Sequence, residues 1–280
     1  MMPAISIKRN IQFNKSFASL LEALKLVAVS QYHVLEKKRA EGNVFGKTLA
    51  DFFDCIDPAK VQHPFLQRGV GVRAVIAVTS DAGLAGPINS QVITRAIDSA
   101  RAHRGQLLVV GERGQLYAQE MRMRFEAFPG IVDNDRHAQA VNLRDYVMKK
   151  ILSQQVCSLE VVYPKAVSLT VHSIESEVLV PFTKPEAPAT APPVSSPIFE
   201  SELKDILEYL VILYVGERLY QIFGLARIAE QAARFVHLEE SSRKITDLNQ
   251  GLTLQYFRRR HEAIDQNMRE LFASRKIYAK

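Results

Sequence analysis

Proline placement constrains the fold of this chain more than any other sequence feature. None of its 12 prolines lies between Pro3 and Pro58, and none follows Pro197. Because proline removes a backbone donor and clashes with the preceding turn, a helix interior excludes it. Each proline-free end can therefore form one long helix. The 83 residues after Pro197 would span about 125 Å at 1.5 Å per residue, which indicates a lever, axle or spacer.

Apolar residues recur at alternating steps of three and four in both ends, the spacing of a coiled-coil seam. The N-terminal stripe comprises Phe17, Leu20, Leu24, Val27, Gln31 and Val34. The C-terminal stripe comprises Leu225, Ile228, Ala232 and Phe235, followed by Ile245, Leu248 and Leu252. The stripes alone would favour an ordinary helical bundle. Helix length and the lack of proline instead predict that the two ends pair as an antiparallel coiled coil.

The middle of the chain alternates short apolar, β-branched runs with helical patterns. Strands are predicted at residues 72–79, 107–110, 159–163 and 167–174, and helices at residues 87–104 and 135–154. Strands that alternate with helices indicate a doubly wound, mostly parallel sheet. The predicted fold class is α/β, with a long antiparallel coiled coil of terminal helices and a central α/β domain.

Four segments follow from these patterns. They are an N-terminal coiled-coil helix (residues 1–57), a central α/β domain (68–182), a proline-rich linker (183–197) and a C-terminal coiled-coil helix (198–280).

The turn after the first predicted strand, residues 80–86, is where an α/β domain would bind phosphate. It contains neither GxGxxG nor GxxxxGK[ST]. Residues 111–114, after the second strand, give a similarly weak signal. For both turns we favour the interpretation that glycine permits a tight strand-to-helix connection. The histidines lack HxxxH or HExxH spacing, and Cys55 and Cys157 are far apart, so no catalytic residue, cofactor or metal is predicted.

Charge is spread along the chain, with 36 basic and 30 acidic residues. A nucleic-acid binder usually concentrates its positive charge more than this. The densest basic cluster is Arg258, Arg259 and Arg260, followed by His261. Either it is a solvated face, or it contacts carboxylates of an enclosing protein. No apolar run is long enough for a transmembrane helix, and the first ten residues lack a signal-peptide core, so we expect a soluble chain.

Three segments resemble the gamma-subunit family of F-type ATP synthases. Residues 7–30, with ALKLVAVS near their end, are similar to the N-terminal helix of that family. Residues 78–90 (VTSDAGLAGPINS) are similar to its VTSDRGLCGGLN strand and turn. Residues 230–236 (EQAARFV) and 252–256 (LTLQY) are similar to its C-terminal signatures. The order is also the same, so the resemblance covers nearly the whole chain.

This resemblance implies a rotating shaft that has no catalytic residue or small-molecule substrate of its own. The implied partners are the alpha and beta subunits of the surrounding ring, the epsilon subunit and the membrane-embedded c-ring. The implied ring contacts are Leu24, Lys25 and Val27 on the first helix. On the last helix, Arg260 matches a family arginine that touches a beta-subunit loop, and Arg258 and His261 lie beside it.

Several positions depart from the family pattern: Pro87, Phe257, His261 and Asp265. Such departures indicate a divergent member, for which a sodium-translocating type is one account. The sequence also lacks the cysteine-bearing insertion of the plant chloroplast type, so we expect a bacterial origin. The implied location is a peripheral complex on the cytoplasmic face of the bacterial inner membrane.

Two other classes of function stay open at the level of sequence. One is a stand-alone α/β nucleotide-binding enzyme with helical extensions, which would bind a small ligand alone. The other is a coiled-coil scaffold or a basic nucleic-acid adaptor, whose binding would depend steeply on salt.

Overall fold

The computed structural model describes residues 4–41, 63–66, 69, 71–182 and 202–278. Its elements in chain order are α1 (Ala4–Glu41), β1 (Val72–Val78), α2 (Ile88–Ala102), β2 (Gln106–Val110), α3 (Glu112–Glu120), β3 (Phe125–Phe128), α4 (Arg136–Leu152), β4 (Val156–Ala166), β5 (His172–Val180) and α5 (Leu203–Tyr278). The chain divides into two units. We call residues 1–28 with 235–280 the paired-helix unit, and residues 29–234 the sheet unit.

The sheet has five strands in the order β3-β2-β1-β4-β5. Strands β1 to β4 pair in parallel and β5 runs antiparallel to β4. Successive β1 side chains point to opposite faces. Val75 packs with Ile93 of α2 on one face, whereas Ile76 belongs to the core that α4 and α5 cover on the other. The doubly wound, mostly parallel sheet is therefore confirmed.

Two elements of the sheet unit were not predicted, and a third was misplaced. The short edge strand β3 and the polar helix α3 carry too little apolar pattern for detection. The last strand begins at His172 rather than at Val167, because a tight turn comes first. In this turn the backbone N–H groups of Val167 and Ser168 donate to the carbonyl of Val171, at 2.9 and 3.1 Å.

The seam of α1 is wrong by one residue in the prediction. Phe17, Leu20 and Val27 are 41%, 53% and 52% exposed, and only Leu24 on that stripe is half-buried. The buried and half-buried side chains of α1 that recur at steps of four and three in the paired-helix unit are instead Ile7, Ile11, Asn14, Ala18, Leu21, Lys25 and Ala28. One residue rotates a helix by about 100°. The true seam contains polar and small residues, so hydrophobicity favoured its more apolar neighbour.

The same shift holds for α1 in the sheet unit. The predicted Gln31 and Val34 are exposed, whereas Tyr32 is buried and Leu35 packs beside it, in a cluster with Ile228 and Ala232.

The seam of α5 was predicted correctly except at one position. Leu225, Ile228 and Ala232 are buried, and Phe235, Ile245 and Leu252 are half-buried. Leu248 is wrong, since it is 56% exposed. In the paired-helix unit the seam runs through Phe235, Leu238, Ser242, Ile245, Asn249, Leu252, Tyr256 and Arg259. Ser242 and Asn249 are the polar positions that hide this register in the sequence.

Polar contacts fix the antiparallel direction of the paired helices. The Asn249 side-chain amide donates to the carbonyl of Ile11 at 3.3 Å, and Lys25 Nζ donates to Glu239 Oε2 at 2.7 Å. Residue numbers therefore rise along α1 while those of the contacting residues fall along α5. This order confirms the antiparallel coiled coil.

Two predicted segments lie outside the described residues. They are the end of the N-terminal helical segment, from residue 42 to 57, and the linker at 183–197. The four segment boundaries stay predictions.

Candidate functional site: the carboxyl edge of the sheet and the surface of the helix pair

The carboxyl ends of β1 and β2 form the edge where an open α/β sheet binds its ligands. Here the first free amides of α3, which could hold an anion, are occupied. The backbone N–H of Glu112 donates to Asp81 Oδ1 at 2.8 Å, and that of Arg113 donates to the carbonyl of Ser80 at 3.1 Å. The loop after β1 therefore caps the helix after β2.

Glycines at residues 111 and 114 let these two turns approach each other. Gly111 has a φ of 98°, and a Cβ there would lie 2.5 Å from the Thr79 carbonyl oxygen. A Cβ on Gly114 would lie 2.3 Å from Thr79 Oγ1. That hydroxyl accepts from the Gly114 N–H at 3.1 Å and donates to the carbonyl of Val110 at 2.6 Å. The interpretation that glycine permits a tight strand-to-helix connection is confirmed for Gly111, whereas Gly114 lies in the first turn of α3.

The side chain of Ser80 is hydrogen-bonded within the same turn. Its hydroxyl accepts from Asn89 Nδ2 at 2.9 Å and donates to the carbonyl of Ala82 at 3.0 Å. Its backbone N–H donates to Asn89 Oδ1 at 3.1 Å. These bonds fix the hydroxyl as a structural group that shapes the turn.

Helix α5 covers what is left of this edge. Ala85 and Ile88 pack against Ala229 and Ala233, and Arg234 Nε donates to the carbonyl of Gly83 at 3.3 Å. The space remaining at the edge is about 10 Å³, about enough for one water molecule. A nucleotide has no room there.

A buried carboxylate anchors α5 at this position. Glu230 is 4% exposed and accepts from both Arg227 and Arg234 at 2.6 Å. Arg227 also bonds Asp133, at 3.2 Å. Burial alone would lower the pKa of Arg227, but the bond to Asp133 and the charge of Glu230 outweigh it and raise that pKa. Arg234 also donates to the carbonyl of Gly83, so the family-like motif at 230–236 is linked to the motif at 78–90. We call this group of contacts a clamp.

A second clamp joins α5 to the edge strand β5. Arg218 binds Glu177 through two bonds of 2.7 and 2.6 Å, and Tyr163 donates to the same carboxylate at 3.1 Å. The bond to Glu177 raises the pKa of Arg218. Burial, with the nearby Glu177 charge, raises the pKa of Tyr163 to about 12.

In the paired-helix unit, Lys25 lies between two carboxylates. Its Nζ is 2.6 Å from Glu22 and 2.7 Å from Glu239, and Ser242 donates to Glu22 at 2.9 Å. Hydrogen bonds to Glu22 and Glu239 raise the pKa of Lys25, and the bond to Lys25 lowers the pKa of each carboxylate. Lys25, predicted as a ring contact, thus also joins the two helices.

The other predicted contact residues lie on the surface. Leu24 is half-buried and Val27 is 52% exposed. Arg258, Arg260 and His261 are exposed, whereas Arg259 is half-buried and bonds Glu262 at 2.8 Å. Arg259 therefore differs from Arg258 and Arg260, because it is partly buried and they are exposed.

Comparison with known proteins decides the family. The family profile described as "ATP synthase" matches residues 4–276. The chain belongs to the ATP synthase family. An ATP synthase gamma chain from Opitutus terrae is 26% identical, with 96% of each chain covered, and one from Mycoplasmopsis pulmonis is 23% identical, with 97% of this chain and 99% of the relative covered. The resemblance to the gamma subunit is confirmed.

Solved ATP synthase structures share the fold. The rotor of Euglena gracilis mitochondrial ATP synthase superposes with a TM-score of 0.63 at 15% identity, covering 93% of this chain and 98% of that one. The central stalk and c-ring structure from Tetrahymena thermophila gives a TM-score of 0.60 at 19% identity, covering 80% of this chain and 99% of that one.

The paired-helix unit of this ATP synthase family member exposes many large apolar side chains. On α1 they include Ile5, Phe13, Phe17, Leu20, Leu26 and Val27; on α5 they include Leu248, Leu254, Phe257, Ile264, Met268, Leu271 and Phe272. Large exposed apolar patches mark interaction surfaces. Phe17, Leu20 and Val27, which the sequence predicts as seam residues, belong to this surface.

Sequence reasoning missed Glu22, Glu239 and Ser242. The i,i+3 spacing of Glu22 and Lys25 was the one available signal; the other two partners require the helix register.

Two absences hold for the described residues 4–41, 63–66, 69, 71–182 and 202–278. In those ranges no helix has an apolar stretch long enough to span a bilayer. Across the same residues, His, Cys, Asp and Glu side chains do not gather in threes around a possible metal position.

Proposed function

We propose that this chain is the central rotor shaft of an F-type ATP synthase. It is not catalytic by itself; it couples ion flow through the membrane c-ring to ATP synthesis or hydrolysis in the alpha-beta hexamer. The observation that carries the proposal is the antiparallel helix pair, held by a narrow seam and exposing apolar side chains outside it. The filled carboxyl edge of the sheet supports a shaft over a nucleotide-binding enzyme.

The proposed partners are the alpha and beta subunits, the epsilon subunit and the c-ring. The structural neighbours are a rotor and a central stalk with its c-ring. We assign the paired-helix unit to the alpha-beta ring because its exposed apolar residues need a protein surface to cover them.

The proposed ring contacts are Leu24, Lys25, Val27, Arg258, Arg260 and His261. Exposure of Val27, Arg258, Arg260 and His261 supports this assignment. The two arginines can bind carboxylates bidentately. Lys25 already bonds two carboxylates of its own chain, so its contact would be made by its aliphatic part.

The mechanism rests on asymmetry. The exposed surface of α1 includes the large apolar side chains Phe13, Phe17 and Leu20, whereas that of α5 includes the basic cluster Arg258, Arg260 and His261. Each orientation of the pair offers different contacts to a given ring site and stabilises one of its conformations over the others. Rotation then changes the sites in turn.

The proposed location is a peripheral complex on the cytoplasmic face of a bacterial inner membrane, since the named sequence relatives are bacterial. The segments 1–57, 68–182, 183–197 and 198–280 are its proposed domains, the third being a linker.

Co-expression with the alpha and beta subunits of the same source tests the function. The complex is purified by a tag on beta, and ATP hydrolysis is measured with and without this chain. One copy of the chain per hexamer, required for sustained hydrolysis, is the expected result. A monodisperse chain that ignores alpha and beta would exclude the shaft. The double variant Arg258→Gln/Arg260→Gln should weaken coupling, and Arg101→Gln, on the exposed side of α2, serves as its control.

A further inference from the structure

The sheet unit contains a cavity of about 500 Å³. It lies between the last turns of α1, the first residue of α4 and the middle of α5. Its apolar lining includes Leu35, Leu225 and Ile228. Sites for small molecules have volumes of about 300–1,000 Å³ and combine apolar walls with a few polar groups. The cavity therefore has the size and the lining of a ligand site.

Arg136 supplies the polar group. Its guanidinium carbon lies 4.2 Å from the centre of the Tyr220 ring, a cation–π distance. Its Nε is buried and has no hydrogen-bond partner among the described residues. Arg144 of the same helix, by contrast, bonds Asp145, and Arg218 bonds Glu177. Arg136 is thus a half-buried cation without a described carboxylate, although such groups normally have one.

Gly224 lets this guanidinium lie close to α5. A Cβ at residue 224 would come within 2.9 Å of one terminal nitrogen of Arg136. The guanidinium is therefore held between the helix backbone and the Tyr220 ring. A side chain positioned in advance loses little conformational freedom on binding.

The charge of the lining favours an anion. Four lining residues are basic (Lys38, Arg39, Arg136 and Arg218) and two are acidic (Glu36 and Glu217). Arg218 is paired with Glu177, which leaves three basic and two acidic side chains in the lining, a net charge of +1. Lys38 and Arg39 are exposed, so they add positive charge where the cavity meets solvent.

We propose that this cavity binds a small amphiphilic oxyanion, either a carboxylate or a phosphate monoester with an apolar body. The oxyanion bonds the terminal nitrogens of Arg136, for which the guanidinium fork is suited. The apolar body contacts Leu35, Leu225 and Ile228. Two sources can supply this chemistry: a free small molecule, or an acidic side chain of a partner subunit.

Calorimetric titration of the full chain with phenyl phosphate and benzoate tests the proposal, with benzyl alcohol as the neutral probe. Both anions should bind saturably. Arg136→Gln should weaken them at least about tenfold, the scale of one lost charge-assisted contact. Gly224→Ala should weaken them similarly, because it displaces the guanidinium. Arg101→Gln should leave affinity within about twofold.

Variants that keep the fold guard against a trivial loss of binding. Arg136→Lys retains the charge and should bind with intermediate affinity, and Lys38→Gln/Arg39→Gln changes only exposed side chains and should weaken binding by less. Thermal unfolding by circular dichroism shows that each variant is folded.

The same titration of the complex with alpha and beta subunits identifies the source. Unchanged affinity indicates a free ligand, and loss of binding on assembly indicates a partner carboxylate; both support the oxyanion site. The proposal is overturned if neither anion binds the full chain, if benzyl alcohol binds as tightly, or if Arg136→Gln binds like the parent.

Discussion

The two units share helix α5 but bury it to very different extents. In the sheet unit, Leu207, Val211, Val215, Leu219 and Ile222 are all 0% exposed. In the paired-helix unit, Leu238 at 1% and Ser242 at 9% are its buried residues, and the rest of the described seam is half-buried. One helix thus serves as a core element in one unit and as a surface in the other. Helix α5 is packed into the core of the sheet unit, whereas in the paired-helix unit most of its surface is exposed and accessible to partner subunits.

The strongest test of this comparison removes the buried anchor. Glu230→Ala leaves Arg227 and Arg234 without their shared carboxylate, so we expect a loss of about 3 kcal/mol, since breaking a buried ion pair costs about 3–5 kcal/mol. Chemical denaturation of the purified chain measures it. Glu240→Ala, an exposed glutamate of the paired-helix unit on the same helix, should change stability by less than about 0.5 kcal/mol. Equal effects at both positions would contradict the contrast between the units.

The clamp on β5 should matter less. Arg218→Gln removes two bonds to Glu177 from a half-exposed site, so we expect a loss of about 1–2 kcal/mol. Hydrogen exchange should locate the change in β5 and the facing turns of α5. Protection that is lost first in β1 would contradict this placement.

Glycines of α5 sharpen the comparison with a change of opposite sign. A Cβ at Gly251, in the paired-helix unit, meets nothing within 4 Å. Gly251→Ala should therefore stabilise the helix by up to about 1 kcal/mol. At Gly216, in the sheet unit, a Cβ lies 3.0 Å from Arg144, so Gly216→Ala should gain less or lose stability. Thermal unfolding of both variants compares them directly, and a larger gain at Gly216 would be the contrary result.

The smallest expected effect is the pH response of the helix pair. The pKa values of Glu22 and Glu239 are lowered in the folded chain. Their contribution to folding stability is therefore present above the unfolded-state pKa of about 4.3 and is lost as pH falls through their folded-state pKa values. The pKa of Lys25 is raised, so its contribution is lost as pH rises above about 10.4, through the folded value. The network is therefore complete only between these limits.

Spin labels at Ser19→Cys and Lys244→Cys, in a background with both native cysteines changed to serine, measure this response as an interhelical distance distribution. The distribution should broaden below about pH 4. With Lys25→Met it should be broad at every pH, whereas Lys15→Met, at an exposed position, should behave like the parent. A distribution that ignores both pH and Lys25 would exclude the network as a link between the helices.

The sequence predicted the long helices and core strands and most of the α5 seam, but it placed the α1 seam on the wrong residues. Proline placement predicted both long helices, and apolar runs such as residues 72–79 predicted the strands of the sheet core. The α1 seam failed because Asn14, Ala18 and Lys25 occupy seam positions, while Phe17, Leu20 and Val27 form an exposed apolar stripe beside them. In a subunit that binds partner subunits, the most apolar stripe of a helix can face a partner rather than the other helix of the pair.

The site was predictable only in part. Motif resemblance located Arg260, and the local concentration of charge located Arg258 and His261; all three side chains are exposed, and their contact role stays a prediction. The clamp at Glu230 was not predictable, because Asp133, Gly83 and Glu230 come together only when α5 packs on the carboxyl edge.

Rotation of this chain inside the alpha-beta ring is the decisive observation for the shaft proposal. In a complex with alpha and beta subunits, both native cysteines are replaced by serine and Glu120→Cys, at the exposed end of α3, carries a visible probe. The alpha-beta ring is fixed to glass and ATP is added. The account predicts unidirectional rotation of the probe that stops when ATP is exhausted. A probe that stays still while the ring hydrolyses ATP at its full rate would contradict the account.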